Sequence, residues 1–401
     1  MNHEEQLVQR LTRFYESAKR EISATPPPWV VPGPQRGRWI QPVLASAALA
    51  VVVLSVTVGI RIARDNRNHP VVATSPTASA SASPTPSATP TPPPSAGPNW
   101  VTQRFAVGAV NEMALDASRV FALGQAKLSR IDRSSGAVTS ATAPANASGI
   151  AETSAGIWVA AGPGTAPAPA NSTSLTLFDA GTLQVKRQAP LPGQPGSDAN
   201  AGPQLDANAS LLWLGYGNHV YRLDPNTGNP LLNQALPGTA VSISLDPTGQ
   251  RLYVGIEVPS NANGQDRILA LDASTGATLA SAETGGRGLG GPHVAGAPDG
   301  VWVSYATGTM GAVEHRSAVN LTATGNSLRT SNTIHAIVGV GALWLIDGMA
   351  QQLTCADPGT GATRATSPET QPEAFVVDSN GAYLGDPTGV AAMQPPAACR
   401  G

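Results

Sequence analysis

Hydrophobic residues follow three different rhythms along this chain. Over residues 1–25, Leu7, Val8, Leu11, Phe14, Tyr15, Ala18 and Ile22 recur at helical spacing, with Glu4, Glu5, Arg10, Arg13, Lys19 and Arg20 between them. The spacing predicts a short amphipathic helix, stopped by Pro26, Pro27 and Pro28. Between Trp39 and Ile60 charge is absent, and Val43 to Ile60 is apolar or small throughout. At ~1.5 Å per residue that stretch is roughly 33 Å long, the thickness of a bilayer core. From residue 99 onward short apolar strands alternate with turns, and the rhythm is that of a sheet.

The third region repeats. An aromatic residue flanked by small or aliphatic ones returns seven times, at Phe121, Trp158, Trp213, Tyr253, Trp302, Trp344 and Tyr383. The mean interval is about 44 residues, the size of a four-stranded propeller blade. Each mark follows a strand and a turn, as in SISLDPTGQRLYVG and AFVVDSNGAYLG. A second mark is Asp-x-x-Ser/Thr-Gly, at Asp132–Gly136, Asp224–Gly228, Asp272–Gly276 and Asp357–Gly361, with a shortened Asp179-Ala-Gly version. It lacks the alternating carboxylates of a calcium loop and is read as a turn joining the third and fourth strands. The last repeat is one strand short, while Trp100–Val107 is one strand too many. Pairing that spare strand as the outer strand of the last blade closes the ring and removes an open edge.

The expected class is therefore all-β. A seven-bladed β-propeller (99–401) is preceded by a segment with a short amphipathic helix (1–38), a transmembrane helix (39–62) and a disordered Pro/Ser/Thr/Ala-rich linker (63–98). A cleaved signal peptide is disfavoured by the 38 residues before the apolar run. Flanking charge is nearly balanced, with Arg36 and Arg38 before the span and Arg61, Arg64 and Arg67 after it. The linker fixes the orientation instead. VVATSPTASASASPTPSATPTPPPSAGP (71–98) is a spacer of the kind that lifts a domain off a surface, so the N-terminus is placed in the cytoplasm and the propeller outside.

Composition fits this picture. Charged residues are 12% and aromatic residues 4%, with 42 Gly and 36 Pro, a profile of strands and turns rather than a helical bundle. Arg outnumbers Lys by 21 to 3, which with the abundant Ala suggests a GC-rich bacterial genome. A net charge of −2 advertises no nucleic-acid surface. The two cysteines, Cys355 and Cys399, lack zinc-site spacing, and a disulfide between them suits an exported domain.

The segment LYVGIEV…ILALDASTGATLA (252–280) resembles a blade of the YVTN or YncE-like β-propellers, and is similar to quinoprotein-type repeats. The likeness covers residues 99–401 at the level of fold. The Trp that follows the quinoprotein turn has no counterpart at Ala277–Ala282, which counts against a quinone cofactor, and the Gly-His and Trp-Asp pairs of WD40 repeats do not recur.

No hydrolase elbow, phosphate loop or zinc-ligand run occurs, and the glycine-rich Gly285–Gly291 does not join a strand to a helix. Aligning the repeats on their aromatic marks places Glu112, Gly149, Gln204, Ser242, His293, His335 and Glu373 where each innermost strand begins, at the mouth of the central channel. Glu112, Gln204, Ser242, His293, His335 and Glu373 are the candidate ligand-binding residues. His293, His335, Glu373 and Glu112 form a candidate divalent-metal set or acid/base group, the one cofactor that the sequence admits. The opposing reading is a wet, polar channel with no ligand. Long connections at 161–172, 190–203 and 259–266 lie on the same face, read either as a binding face or as loop drift without function.

Three functions remain open. The favoured one is a membrane-tethered, single-pass, extracytoplasmic interaction module for a protein or cell-envelope ligand, without catalysis. The second is a metal-dependent lyase or hydrolase at the channel mouth. The third is a transmembrane regulator whose residues 1–36 hold a cytoplasmic protein such as a σ factor, though no zinc-binding His/Cys motif supports it.

Overall fold

The structure is a computed structural model of the chain. The structure describes residues 99–400 apart from 125, 164–172, 194–201, 259–264, 286–290, 308–309, 331–332, 340, 348–349 and 369–371. The expected helix at 1–25, membrane span at 39–62 and linker to residue 98 lie outside the described residues.

Seven four-stranded antiparallel sheets make up the described region. Their innermost strands are Glu112–Leu115, Ala147–Thr153, Gln204–Ala207, Thr239–Leu245, His293–Ala297, Thr333–Gly339 and Ala374–Asp378, numbered here as blades 1 to 7. Each touches the next, and the seventh touches the first, so the sheets close into a ring: a seven-bladed β-propeller. The strand Val101–Phe105 is the outermost strand of blade 7 and pairs antiparallel with Gly389–Met393. The spare strand thus closes the ring where the repeat pattern placed it.

The aromatic marks all lie on the second strand of their blades and are buried. Five of them, Phe121, Trp158, Tyr253, Trp302 and Tyr383, sit beneath a turn of the following blade. That turn joins the third and outermost strands. In six blades its fifth residue donates its N–H to the first residue's carbonyl, at 2.8–3.0 Å: Gly136, Leu183, Gly228, Gly276, Leu321 and Gly361. All six have positive φ, from 57° to 74°, which favours Gly and strains Leu183 and Leu321. The leading Asp of five of these turns accepts the amides of the third and fourth residues through Oδ1, at 2.8–3.1 Å. Hydroxyl donors add to this at Asp272, where Ser274 and Thr275 help to hold the carboxyl down at about 2.

The turn and the ring beneath it interlock. Trp158 of blade 2 donates its indole N–H to the carbonyl of Pro225 in the blade 3 turn, at 2.8 Å, and Trp302 of blade 5 donates to Pro358 in the blade 6 turn, at 2.9 Å. Both acceptors are the second residue of Asp-Pro-x-Thr-Gly. Phe121 packs with Ala180 and Leu183 of the next turn, and Tyr253 with Leu321. At the junction of blade 7 with blade 1, the second turn residue is Arg133. Its guanidinium bridges both oxygens of Asp378, at 2.6 and 2.7 Å, donates to the Tyr383 hydroxyl at 3.3 Å, and lies 5.3 Å from the Tyr383 ring centroid.

The seam between blades 6 and 7 is different, because no continuous turn spans it. Gln394 N–H donates to Trp100 C=O at 2.8 Å, as Asp132 does to Ala137 and Asp357 to Ala362 elsewhere. By that register Gln394 and Pro395 stand for the first two turn residues and Asn99 for the fifth. Trp100 fills part of the space, edge-on to Trp344 with centroids 6.1 Å apart. Cys399 is bonded to Cys355 on the third strand of blade 6, with Cα atoms 5.9 Å apart, and so fastens the tail across this seam.

Two predictions follow from these contacts. A Cβ on Gly228 would lie 2.7 Å from the Trp158 ring, whereas one on Gly325, also at positive φ, meets nothing within 4 Å. Gly325→Ala is expected to cost about 1 kcal/mol from backbone strain alone. Gly228→Ala is expected to cost a further ~1–3 kcal/mol from overpacking. Denaturant titration of both variants checks this, and equal losses would remove the interlock from the account. Reducing the disulfide, which closes a 44-residue separation, is expected to lower stability by about 4 kcal/mol in the chain-entropy treatment. Paired melts with and without reductant, and of Cys355→Ala/Cys399→Ala, measure it.

Candidate functional site

The innermost strands surround a central cavity of about 570 Å³. It reaches from Glu112, at the start of its strand, to Asp246 and Pro247, where the innermost strand of blade 4 ends. Its wall is partly apolar, with Met113, Leu115 and Val294 among the residues facing it. The polar part is acidic. Glu112 of blade 1, Glu152 of blade 2 and Asp206 of blade 3 line it together with Asp246, and no described Lys, Arg or His does.

Burial in this narrow space disfavours charge. Desolvation raises the Glu112 carboxyl from 4.5 to about 7. Asp206 is raised to about 6, again by burial, against the opposing pull of two backbone N–H donors. One of these, Leu245 N–H at 2.6 Å, belongs to the next blade, so Asp206 also ties blade 3 to blade 4. Glu152 is raised by burial and secondarily by the nearby Asp116 carboxylate. At neutral pH the cavity therefore holds a partial, adjustable negative charge.

The strand register tests the aligned ring of residues. Glu112, Gly149, Gln204, Ser242, His293 and His335 are equivalent, each pairing with the residue two positions after its aromatic mark, or its counterpart. Blade 7 breaks the pattern. The equivalent of Glu112 is Ala374, paired with Gly385, whereas Glu373 precedes the strand and donates its N–H to the Gly385 carbonyl, as Asn111 does to Leu123. Blade 7 has the same two-residue hairpin as blade 1, and Glu373 lies ten residues before its aromatic where Glu112 lies nine before Phe121.

Only Glu112 of the expected residues lines the described cavity. Ser242 is engaged in joining blades: its hydroxyl donates to Pro292 C=O at 2.8 Å and accepts from Val294 N–H at 3.1 Å. Gln204 donates through its side-chain amide to Gly202 C=O at 3.3 Å. His293 is part-buried, and desolvation lowers it to about 4, so its ring is neutral at physiological pH. His335 lies on the innermost strand of blade 6, opposite Ile346, but its side chain is outside the described residues. Among the described residues no group of three or more His, Cys, Asp or Glu side chains is placed to hold a metal ion. The long connections at 161–172, 190–203 and 259–266 lie for the most part outside the described residues as well. The base of the last is fastened by Asp266, whose side chain accepts Val258 N–H at 3.2 Å.

Glu152 and Asp206 escaped the sequence alignment because it looked nine to eleven residues before the aromatic. Asp206 lies directly opposite Trp213, at a position held by Ala114 in blade 1, Ala151 in blade 2 and Ala295 in blade 5. The other blades hold Ser244, Ile337 and Val376 there, so a carboxylate at a position otherwise held by uncharged residues was the available signal.

No protein-family model matches the chain, and no curated protein matches it. Solved structures do share the fold. A chain of the mitotic checkpoint complex aligns with a TM-score of 0.57 and 12% identity, over 72% of this chain and 92% of its own length. The β-propeller domain of Cps50 (Swd1) from Myceliophteria thermophila gives 0.55 and 11%, over 74% and 99%. Hydrazine synthase of Kuenenia stuttgartiensis gives 0.52 and 11%, over 73% and 97%. At these identities the likeness is one of architecture.

The raised Glu112 carboxyl sets a pH dependence. Folded protein holds this proton up to about pH 7 and unfolded chain releases it near 4.5, so stability from this group is complete below the lower value and is lost as pH rises through the upper one. Glu112→Gln abolishes that loss. Its melting temperature should match the wild type at pH 4 and exceed it at pH 8. A constant difference across that range would contradict the burial of this carboxyl.

Proposed function

We propose that the protein is a membrane-tethered, extracytoplasmic binding module of the YVTN/YncE-like kind, whose channel receives a cationic group from a protein or cell-envelope ligand. The single observation behind this reading is the acidic cavity: Glu112, Glu152 and Asp206 face a common space of about 570 Å³ with no described basic side chain beside them. A lysine or arginine entering there would return to these carboxylates the stabilisation that burial removes, and would lower their proton affinity. The apolar run at 39–60 and the charge-free spacer at 71–98 support the tether and the extracytoplasmic placement.

Binding through ionised Glu112 must strengthen as pH rises through 7, because the free protein is half protonated there. The test uses full-length protein in its own membranes. Cross-linking identifies the ligand, and its affinity is then measured at pH 6 and pH 8 for wild type and Glu112→Gln/Glu152→Gln. The expected result is tighter binding at pH 8 and at least a tenfold loss in the double variant. A ligand indifferent to both changes would refute the channel as its site. Substrate turnover that requires added metal would favour lyase or hydrolase chemistry instead. Deleting 39–62 should release the protein from the membrane fraction, and retention there would refute the tether.

A further inference from the structure

His315, on the third strand of blade 5 (Met310–Ser317), is 3% exposed. It does not line the acidic channel, and its role is independent of the function proposed above. It pairs across the ladder with Trp302, and the two ring centroids lie 5.1 Å apart with a tilt of 48°. Trp302 is the aromatic lodged beneath the blade 6 turn through its bond to Pro358. In blade 2 the residue paired with Trp158 in the same way is Leu177, so the interlock does not itself call for an ionisable ring. Three polar contacts surround His315. Thr324, on the outermost strand, donates its hydroxyl to the His315 carbonyl at 3.1 Å and lies 3.2 Å from Nδ1. On the other side Nε2 faces Asp299 Oδ1 at 3.3 Å without making a hydrogen bond. Asp299 stands in the hairpin between the two inner strands of the blade, held against the third by Ala318 N–H, which donates to its carbonyl at 3.1 Å.

These contacts need more protons than a neutral ring can supply. A threonine hydroxyl has one proton. With that proton on the carbonyl, Nδ1 must carry a second to bond Thr324 Oγ1, and Nε2 a third to bond Asp299. Neutral imidazole has a single N–H and leaves one contact unmade, whereas imidazolium makes all three. We propose that His315 is an acid-operated latch: one proton taken up by its ring ties the inner hairpin of blade 5 to that blade's outer strands and tightens Trp302 beneath the blade 6 turn. The proton creates an ion pair with Asp299 and places a positive charge within cation–π range of the Trp302 ring. A buried charge is costly unless it is paired and hydrogen-bonded, and here both conditions are met. The other charged and titratable groups around it are engaged elsewhere. The Tyr253 hydroxyl of blade 4 feels Asp299, Arg251 and Asp246, and burial pushes it up to about 12, so it stays neutral. Glu314 and Arg316 flank His315 along the strand, project to the opposite face and pair with each other. Asp357, in the blade 6 turn, is held by Arg364.

The test uses full-length protein in detergent with its six histidines ¹⁵N-labelled in the ring. His315→Gln assigns the His315 signals, and if that variant fails to fold, the shift caused by Asp299→Asn assigns them instead. The ring is expected to carry one proton at pH 8 and two at pH 5.5. Asp299→Asn, a change at an exposed side chain, removes the ion pair and keeps the hairpin. Its melting temperature is expected to fall below that of wild type by ~2 °C or more at pH 5.5 and by less than half as much at pH 8. Glu112 is the same in both proteins and cancels from this comparison. Indole proton exchange reads the interlock itself. The Trp302 rate, taken relative to Trp158 with its non-titrating neighbour Leu177, is expected to slow about threefold between pH 8 and pH 5.5, and by less in Asp299→Asn. The proposal is overturned if His315 keeps a single ring proton at pH 5.5, if Asp299→Asn costs the same at both pH values, or if the ratio of Trp302 to Trp158 exchange does not change.

Discussion

An aromatic ring lodged beneath a turn of the following blade is the contact that turns seven separate sheets into one ring. A four-stranded sheet of this size buries little on its own, and its two faces are covered only by its neighbours. The interlock sets both the distance and the order of those neighbours. Trp158 and Trp302 do so with an indole hydrogen bond, Phe121 and Tyr253 by packing on an αL leucine, and Tyr383 through the guanidinium of Arg133. Three chemically different solutions, spread over five aromatic residues, occupy one geometric slot. That is why the repeats share so little sequence while keeping their spacing.

The acidic channel depends on this frame. Glu112, Glu152 and Asp206 would separate on isolated strands, and it is the closed ring that brings them, each part-buried, around one space. Some polar residues near the axis serve the frame itself. Ser242 and Asp206 each bond to backbone of the next blade. Placement near a propeller axis therefore does not by itself mark a residue for ligand binding, and the distinction lies in whether its bonds to neighbouring blades are already made.

Much of this architecture is written in local patterns. The aromatic marks and the Asp-x-x-Ser/Thr-Gly turns are local, and each repeats often enough for one degenerate copy, such as Ser317–Leu321 in place of the Asp-led form, to be carried by the others. The spare strand at 101–105 was legible because a ring must close. The site was less legible. Glu373 stands ten residues before Tyr383 and Glu112 nine before Phe121, so the residue level with Glu112 is Ala374, which a strict count of nine picks out. Asp206 and Glu152 went unnoticed because pairing across the hairpin, rather than sequence distance from the aromatic, determines which residues share a level. The commitment of Ser242 to Pro292 and Val294 is a contact between blades, and no single repeat contains it.

The outermost strand of blade 7 comes from the opposite end of the domain, and this has a mechanical consequence. Any tension transmitted through the residues before Asn99 reaches the propeller first at Val101–Phe105, whose hold on the rest of the blade is the ladder to Gly389–Met393. Pulled lengthwise, such a ladder resists with all its bonds in parallel; pulled sideways, it yields them one at a time. The disulfide at Cys399 fastens to blade 6 the tail that follows Gly389–Met393, the other partner of this ladder. The strand that is pulled is thus held by one ladder alone, while the strand it pairs with is held by a second ladder to Gly381–Asp386 and by the fastened tail behind it.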